Sequence, residues 1–220
     1  VYLSYELIGQ IESTLASKLH KSTLPIAYAV QVPSAIIVDH KLDKTFIIDQ
    51  DNNQSRINSI LSDIKLLNKT PTQRIKGSQS EEVENKFIDG VKSSLDYIVA
   101  GDVFQVNLSR KWQYRLTETT DSAIIYNALK KTNPAPFSAL IQYENFSIIS
   151  SSPERLFSVD DKTLETRPIA GTHPRGKGDL DKAQKNNLIN HPKEIAEHVM
   201  LLDLERNDMG RVCEYGSVFV

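Results

Sequence analysis

From His191 to Val212 the chain reads HPKEIAEHVMLLDLERNDMGRV, and this run constrains the fold more than any other. Apolar Ile195, Val199, Met200, Leu202 and Leu204 recur along it and leave little of the helix polar. Asn190 or His191 ahead of Pro192 supplies a start signal, because proline suits the first turn, where its missing N–H costs no hydrogen bond. On such a helix Glu194 and Glu197 lie one turn apart on the same face, with His198 beside them. Two converging carboxylates with no cysteine or histidine pair make an all-oxygen site, suited to a hard cation such as Mg²⁺. On spacing alone, a solvated glutamate pair on a surface helix is the commoner arrangement.

Composition narrows the class. Of 220 residues, 40% are hydrophobic and 25% charged, values of an ordinary globular protein with room for one large domain or two small ones. A formal net charge of -2 gives no electrostatic reason to expect nucleic acid or an anionic membrane surface as partner. Cys213 stands alone, so no internal disulfide can form, and no apolar run approaches a membrane span. Together these readings lead to a cytoplasmic expectation. The chain opens at Val1-Tyr2-Leu3 and stops at Phe219-Val220, both inside strand-like sequence, and so reads as the middle of a longer protein.

Along the chain, 34–39 (SAIIVD) and 44–49 (KTFIID) form two apolar strands about a turn at His40–Asp43. Apolar spacing predicts helices over 57–67, over 81–98 after a Ser80 cap, and over 121–131 before Asn133-Pro134. Strands are expected at 103–114, 137–143, 147–151, 154–159 and 164–168. Residues 69–80 are polar, with Pro71 and Gly77, and read as a linker between an N-terminal region (1–68) and the start of a second domain (81–220). Hairpin-like pairs dominate the middle, so the expected class is α+β, with antiparallel sheets flanked by helices.

Three further segments carry candidate chemistry. In SSPER (151–155), Glu154 leaves a strand rich in Ile and Ser, where apolar packing raises a carboxyl toward the range of a general acid; pairing with Arg155 is the structural alternative. In RPIAGT (167–172), Gly171 permits close backbone approach, and its N–H with the Thr172 hydroxyl can hold a carboxylate, or the turn is only a loop. In GDVFQVNLSR (101–110), alternation sets Gln105, Asn107 and Ser109 on one strand face, where they can line a pocket or merely face solvent.

Together the segments resemble component I of the chorismate-using enzymes: anthranilate synthase, aminodeoxychorismate synthase and their isochorismate and salicylate synthase cousins. The resemblance is carried by GDVFQVNLSR (101–110), NPAPFSALIQYENFSIISSSPERLF (133–157), TRPIAGTHPRG (166–176) and KEIAEHVMLLDLERNDMGRV (193–212), in the family's order, with YLSYE (2–6) at the start. It implies that Glu197 is a direct Mg²⁺ ligand, with Glu194 in or just outside its coordination. It further implies that Glu154 is the acid near the departing C4 hydroxyl of chorismate, and that Gly171 and Thr172 bind a substrate carboxylate. Where isochorismate and salicylate synthases carry a lysine that activates water, this chain has Gln105, so the resemblance implies ammonia as nucleophile. Ala170 occupies the place of the lysine found in aminodeoxychorismate synthases, as it does in anthranilate synthases, whereas QVNLS and NPAPFSA look more like the aminodeoxychorismate branch. The expected function is amination of chorismate at C4 with ammonia from a glutamine amidotransferase subunit; anthranilate formation is the first alternative. A non-catalytic interaction domain with the same residues is the second. The family's C-terminal portion would supply a second pair of metal glutamates and a catalytic histidine, so this piece by itself is expected to be inactive.

Overall fold

The computed structural model describes residues 1–18, 24–68, 71 and 73–220. The chain divides into two units, Val1–Lys69 and Thr70–Val220. In the first, β1 (Tyr2–Leu3) pairs antiparallel with β2 (Ala27–Tyr28), and short helical turns at Tyr5–Leu7, α1 (Ile8–Ile11) and Ser13–Lys18 lie between them in sequence. Strands β3 (Ser34–Asp39) and β4 (Lys44–Asp49) form the expected hairpin, with Ser34 opposite Asp49 and Asp39 opposite Lys44. Asp39 closes its turn by accepting the N–H groups of Lys41 and Leu42 at 2.8 and 3.0 Å. The helix that follows, α2 (Gln54–Leu66), is capped by Asn53, whose side chain accepts from Ser55 and Arg56 N–H. Asp49 joins strand to helix. Its solvent-shielded carboxylate accepts Arg56 Nε at 2.7 Å and the Ser34 hydroxyl at 2.6 Å. The guanidinium first, and the hydroxyl and backbone donors after it, hold this acid well below the usual carboxylate range.

The second unit opens on a departure from expectation. Residues 77–81, of which 77–80 fall in the stretch read as a linker, form β5 (Gly77–Glu81), paired antiparallel with β6 (Trp112–Leu116); residues 69, 70 and 72 of that stretch lie outside the described residues. Ser80 is therefore a strand residue rather than a helix cap. Helix α3 (Glu84–Ala100) starts after Val83 with no side-chain cap. It ends at Gly101 (φ 80°), where Gly101 and Asp102 N–H return to Ile98 and Tyr97 C=O, a left-handed closure that glycine tolerates without a Cβ clash. The strand expected at 103–114 is confined to β6, because 103–111 finds no strand partner.

Helix α4 (Ser122–Thr132), capped by Asp121 onto Ala123 N–H, packs on the hairpin of β7 (Phe137–Tyr143) and β8 (Phe146–Ser152). Ile124 on this helix, 8% exposed, is the one buried apolar residue among the described residues. The expected strands at 154–159 and 164–168 shrink to β9 (Ser158–Asp160) and β10 (Thr163–Glu165), which pair about a turn with Asp161 at φ 50°. Then come α5 (Asp179–Asn190), which was not among the expected helices, and α6 (Pro192–Gly210) with Pro192 in its first turn; the two pack together. The architecture is α+β with antiparallel hairpins flanked by helices. No helix among the described residues is long and apolar enough to cross a membrane.

Candidate active site

The loop 166–178 between β10 and α5 organises the second unit's candidate residues, and two cavities border its Pro168–Gly171 portion. The first, of about 540 Å³, is lined by Gln105, Asn107, Glu154, Arg155, Glu197 and Glu205, with Ser152, Leu156, Pro168, Ile169 and Leu201. Four separate segments build it. Gln105 and Asn107 come from the extended stretch after α3, so the alternation read from the sequence puts both at one cavity even though the stretch pairs with no strand. That stretch is anchored at its end by Arg110, which bonds Glu81 and lies 5.0 Å from the Trp112 ring centroid and 5.8 Å from that of Phe87. Leu108 faces Gly90 of α3, at a distance where even a Cβ would make only ordinary contact.

Glu154 follows β8 and locks the loop. Its Oε1 accepts the Ile169 N–H at 2.7 Å, so the acid proposed from sequence also satisfies a backbone donor of the segment before Gly171. Arg155, the structural partner considered for Glu154, instead bonds Glu165 Oε2 at 2.7 Å. Arg155 Nε is shielded and unpartnered, which leaves a positively charged group at a cavity otherwise rich in carboxylates.

The second cavity, of about 450 Å³, is lined by Ala170, Gly171, Glu194 and His198 among Pro168, Ile169, Leu188, Ile189, Ile195 and Val199. The two helix glutamates thus border different cavities, Glu197 the first and Glu194 the second. Both are half-buried, and neither makes a hydrogen bond or ion pair among the described residues. That differs from a solvated surface pair. Half-burying a carboxylate without a partner is unfavourable, and oxygen donors left free suit a hard divalent cation completed by water and ligand oxygens. Among the described residues no group of three or more His, Cys, Asp or Glu side chains converges on one metal position. Thr172 is exposed and lines neither cavity.

Glu205 was not among the residues expected from sequence. It lines the first cavity and accepts the Thr166 hydroxyl, tying α6 to the strand-exit segment that leads into the loop. The signal was present: Glu197, Leu201 and Glu205 follow at intervals of four, one face of a helix.

Comparison with known proteins bears on the family of the chain. The chain is 37% identical to aminodeoxychorismate synthase component 1 of Bacillus subtilis (strain 168), an alignment covering 100% of this chain and 49% of that protein. It is 34% identical to anthranilate synthase component 1 of Thermus thermophilus, again over 100% of this chain and 49% of the relative. Anthranilate synthase component I from Streptococcus pneumoniae TIGR4 has a similar structure, with a TM-score of 0.64 at 30% identity over 81% of this chain and 42% of that one. The chain spans about half the length of the curated relatives it matches. Residues 1–220 match the chorismate binding enzyme family throughout, and the chain belongs to that family.

Proposed function

We propose that the intact protein is the synthase component of an aminodeoxychorismate synthase, replacing the C4 hydroxyl of chorismate by an amino group with ammonia delivered from a glutamine amidotransferase subunit. One observation carries the reading: Glu154, Gln105 and Glu197 line a single cavity although they come from three distant segments. Glu154 is held there by the Ile169 N–H and is suited to pass a proton to the departing C4 hydroxyl, which leaves as water. Ammonia then forms the new C–N bond and gives up a proton. Gln105 borders the same space without a basic atom to activate water, which favours ammonia over water as nucleophile. Arg155, paired with Glu165, is the one cation among the described residues at a cavity whose other charged groups are Glu154, Glu197 and Glu205.

Glu197, at the cavity shared with Glu154 and Gln105, is the residue that would hold Mg²⁺ there, with Glu194 one helical turn away at the neighbouring cavity. When bound, the cation would supply neutralisation of substrate carboxylate charge and polarisation toward loss of hydroxide. Similarity to the Bacillus subtilis aminodeoxychorismate protein supports C4 as the site of amination, together with QVNLS (105–109) and NPAPFSA (133–139).

A second reading, anthranilate formation by amination at C2 with loss of pyruvate, is favoured by Ala170. A methyl side chain there offers no amine to attack C2 and leaves it open to ammonia. The deciding experiment supplies the full-length protein with chorismate, Mg²⁺ and ammonium and identifies the product. Aminodeoxychorismate supports the first reading and anthranilate the second. No turnover, with partner binding intact, would establish a non-catalytic domain.

A further inference from the structure

Helix α3 has two unlike sides. Lys86, Asp89, Lys92, Ser93 and Asp96 fall on one, and Ile88, Val91, Leu95 and Ile98 follow at intervals of three and four on the other. The flank between them, with Phe87 and Gly90, is met by Arg110 and Leu108 of the stretch that carries Gln105 and Asn107. The Ile88–Ile98 stripe has no such cover. Its four residues are 39, 36, 41 and, at Leu95, 57% exposed for Ile88, Val91 and Ile98 in turn, and among the described residues no helix or strand packs extensively on α3. A helix in a protein draws most of its stability from burial of its apolar face, so the stripe calls for an occupant.

The amount of uncovered surface says what kind. The chain exposes 18755 Å². A folded chain of 24.8 kDa exposes about 10,000 Å², and two separate units divided at Lys69 about 12,000 Å². The excess of roughly 6,700–8,600 Å² is many times the roughly 800 Å² that one protein covers on another in a standard interface. Surface on that scale is covered by polypeptide of comparable length that folds with the chain, and the chain spans about half the length of the curated relatives it matches. We propose that the part of the intact polypeptide outside residues 1–220 packs on the Ile88, Val91, Leu95 and Ile98 stripe, making α3 a core helix of a domain that both parts build. Because α3 runs through Gly101 into the stretch bearing Gln105 and Asn107, the same contact steadies one wall of the first cavity. Neither the stripe nor the area depends on which product the site makes.

The test uses the full-length protein alone, without an amidotransferase subunit, in a form whose native cysteines are replaced by serine. A single cysteine is placed on the stripe (Val91→Cys or Leu95→Cys) or on the polar side (Ser93→Cys), and each thiol is reacted with a water-soluble maleimide, with its rate in denaturant as reference. The stripe thiols should react roughly 100-fold more slowly than the Ser93→Cys thiol, since they are reached only through local opening. That difference should persist on dilution of the protein. Equal rates on the two sides overturn the proposal. Protection lost on dilution assigns the stripe to a second copy of the chain, and protection that appears only when the amidotransferase is added assigns it to that subunit; either result overturns the proposal as well. If a stripe cysteine lowers the melting temperature, hydroxyl-radical footprinting of the unsubstituted protein gives the same readout. Leu95 oxidised far less in the native than in the unfolded protein supports the covered stripe, and equal oxidation in the two overturns it.

Discussion

Glu154 has one duty visible in the structure and one proposed for it, and two substitutions should divide them. As a backbone acceptor it holds the Ile169 N–H at 2.7 Å; as an acid it would protonate the departing hydroxyl. Glu154→Gln keeps an oxygen where Oε1 sits, so the loop clamp survives, but the amide cannot deliver a proton. Removing a general acid costs roughly 10²- to 10⁴-fold in rate, which corresponds to about 2.7–5.4 kcal/mol of barrier. Glu154→Ala loses the acid and also releases the hydrogen bond from the Ile169 N–H, worth about 0.5–1.5 kcal/mol when the acceptor is the neutral acid. The Ala variant should therefore match Gln in the drop of kcat and add a rise in KM, as the Pro168–Gly171 segment loosens beside both cavities. The assay is chorismate consumption by full-length protein with Mg²⁺ and saturating ammonium, with each variant's melting temperature recorded alongside. A Glu154→Gln enzyme with kcat within about threefold of wild type would refute the acid role and leave Glu154 only the loop to hold.

Three other outcomes are expected. Ala170→Lys in the intact protein should permit a covalent adduct visible by mass spectrometry while sparing C4 amination, or should depress anthranilate formation if C2 is the site; an unchanged anthranilate rate would mean that residue 170 does not face C2. Thr166→Val removes the hydroxyl that Glu205 accepts and should lower stability by about 1–3 kcal/mol, whereas Thr166→Ser should restore it; identical denaturant midpoints for wild type and Val would refute the clip. Asp181 is held at about 2, below its ordinary 3.8, first by the Arg175 guanidinium and then by the Gly176 N–H. Because the folded value is depressed, the stability this contact contributes is present above the unfolded value and is lost as pH falls through about 2. A carboxyl-carbon titration by NMR should show that midpoint, and one near 3.8 would remove the Arg175–Asp181 contact from the solution structure.

What the sequence determined by itself was local. The β3–β4 and β7–β8 hairpins and helices α2, α4 and α6 emerge close to their expected bounds, because apolar periodicity, Asn53 and Asp121 caps and Pro192 act within a few residues of the chain. The family, too, was legible in runs such as KEIAEHVMLLDLERND, since the chemistry needs particular side chains at particular spacings. Tertiary structure decided whatever depended on a distant partner. Gly77–Glu81 reads as mostly polar linker until Trp112–Leu116 pairs with it, and the alternating stretch 103–111 reads as a strand although no edge receives it. Helical spacing put Glu194 and Glu197 on one face, yet which cavity each borders depends on the loop at 168–171 passing beside them. The same holds for Glu154 at Ile169, Glu205 at Thr166 and Glu194 against Gly171, contacts between segments well separated along the chain. Local propensity is written in each stretch of chain, whereas a hydrogen bond or a filled volume between distant segments exists only once the backbone has brought them together.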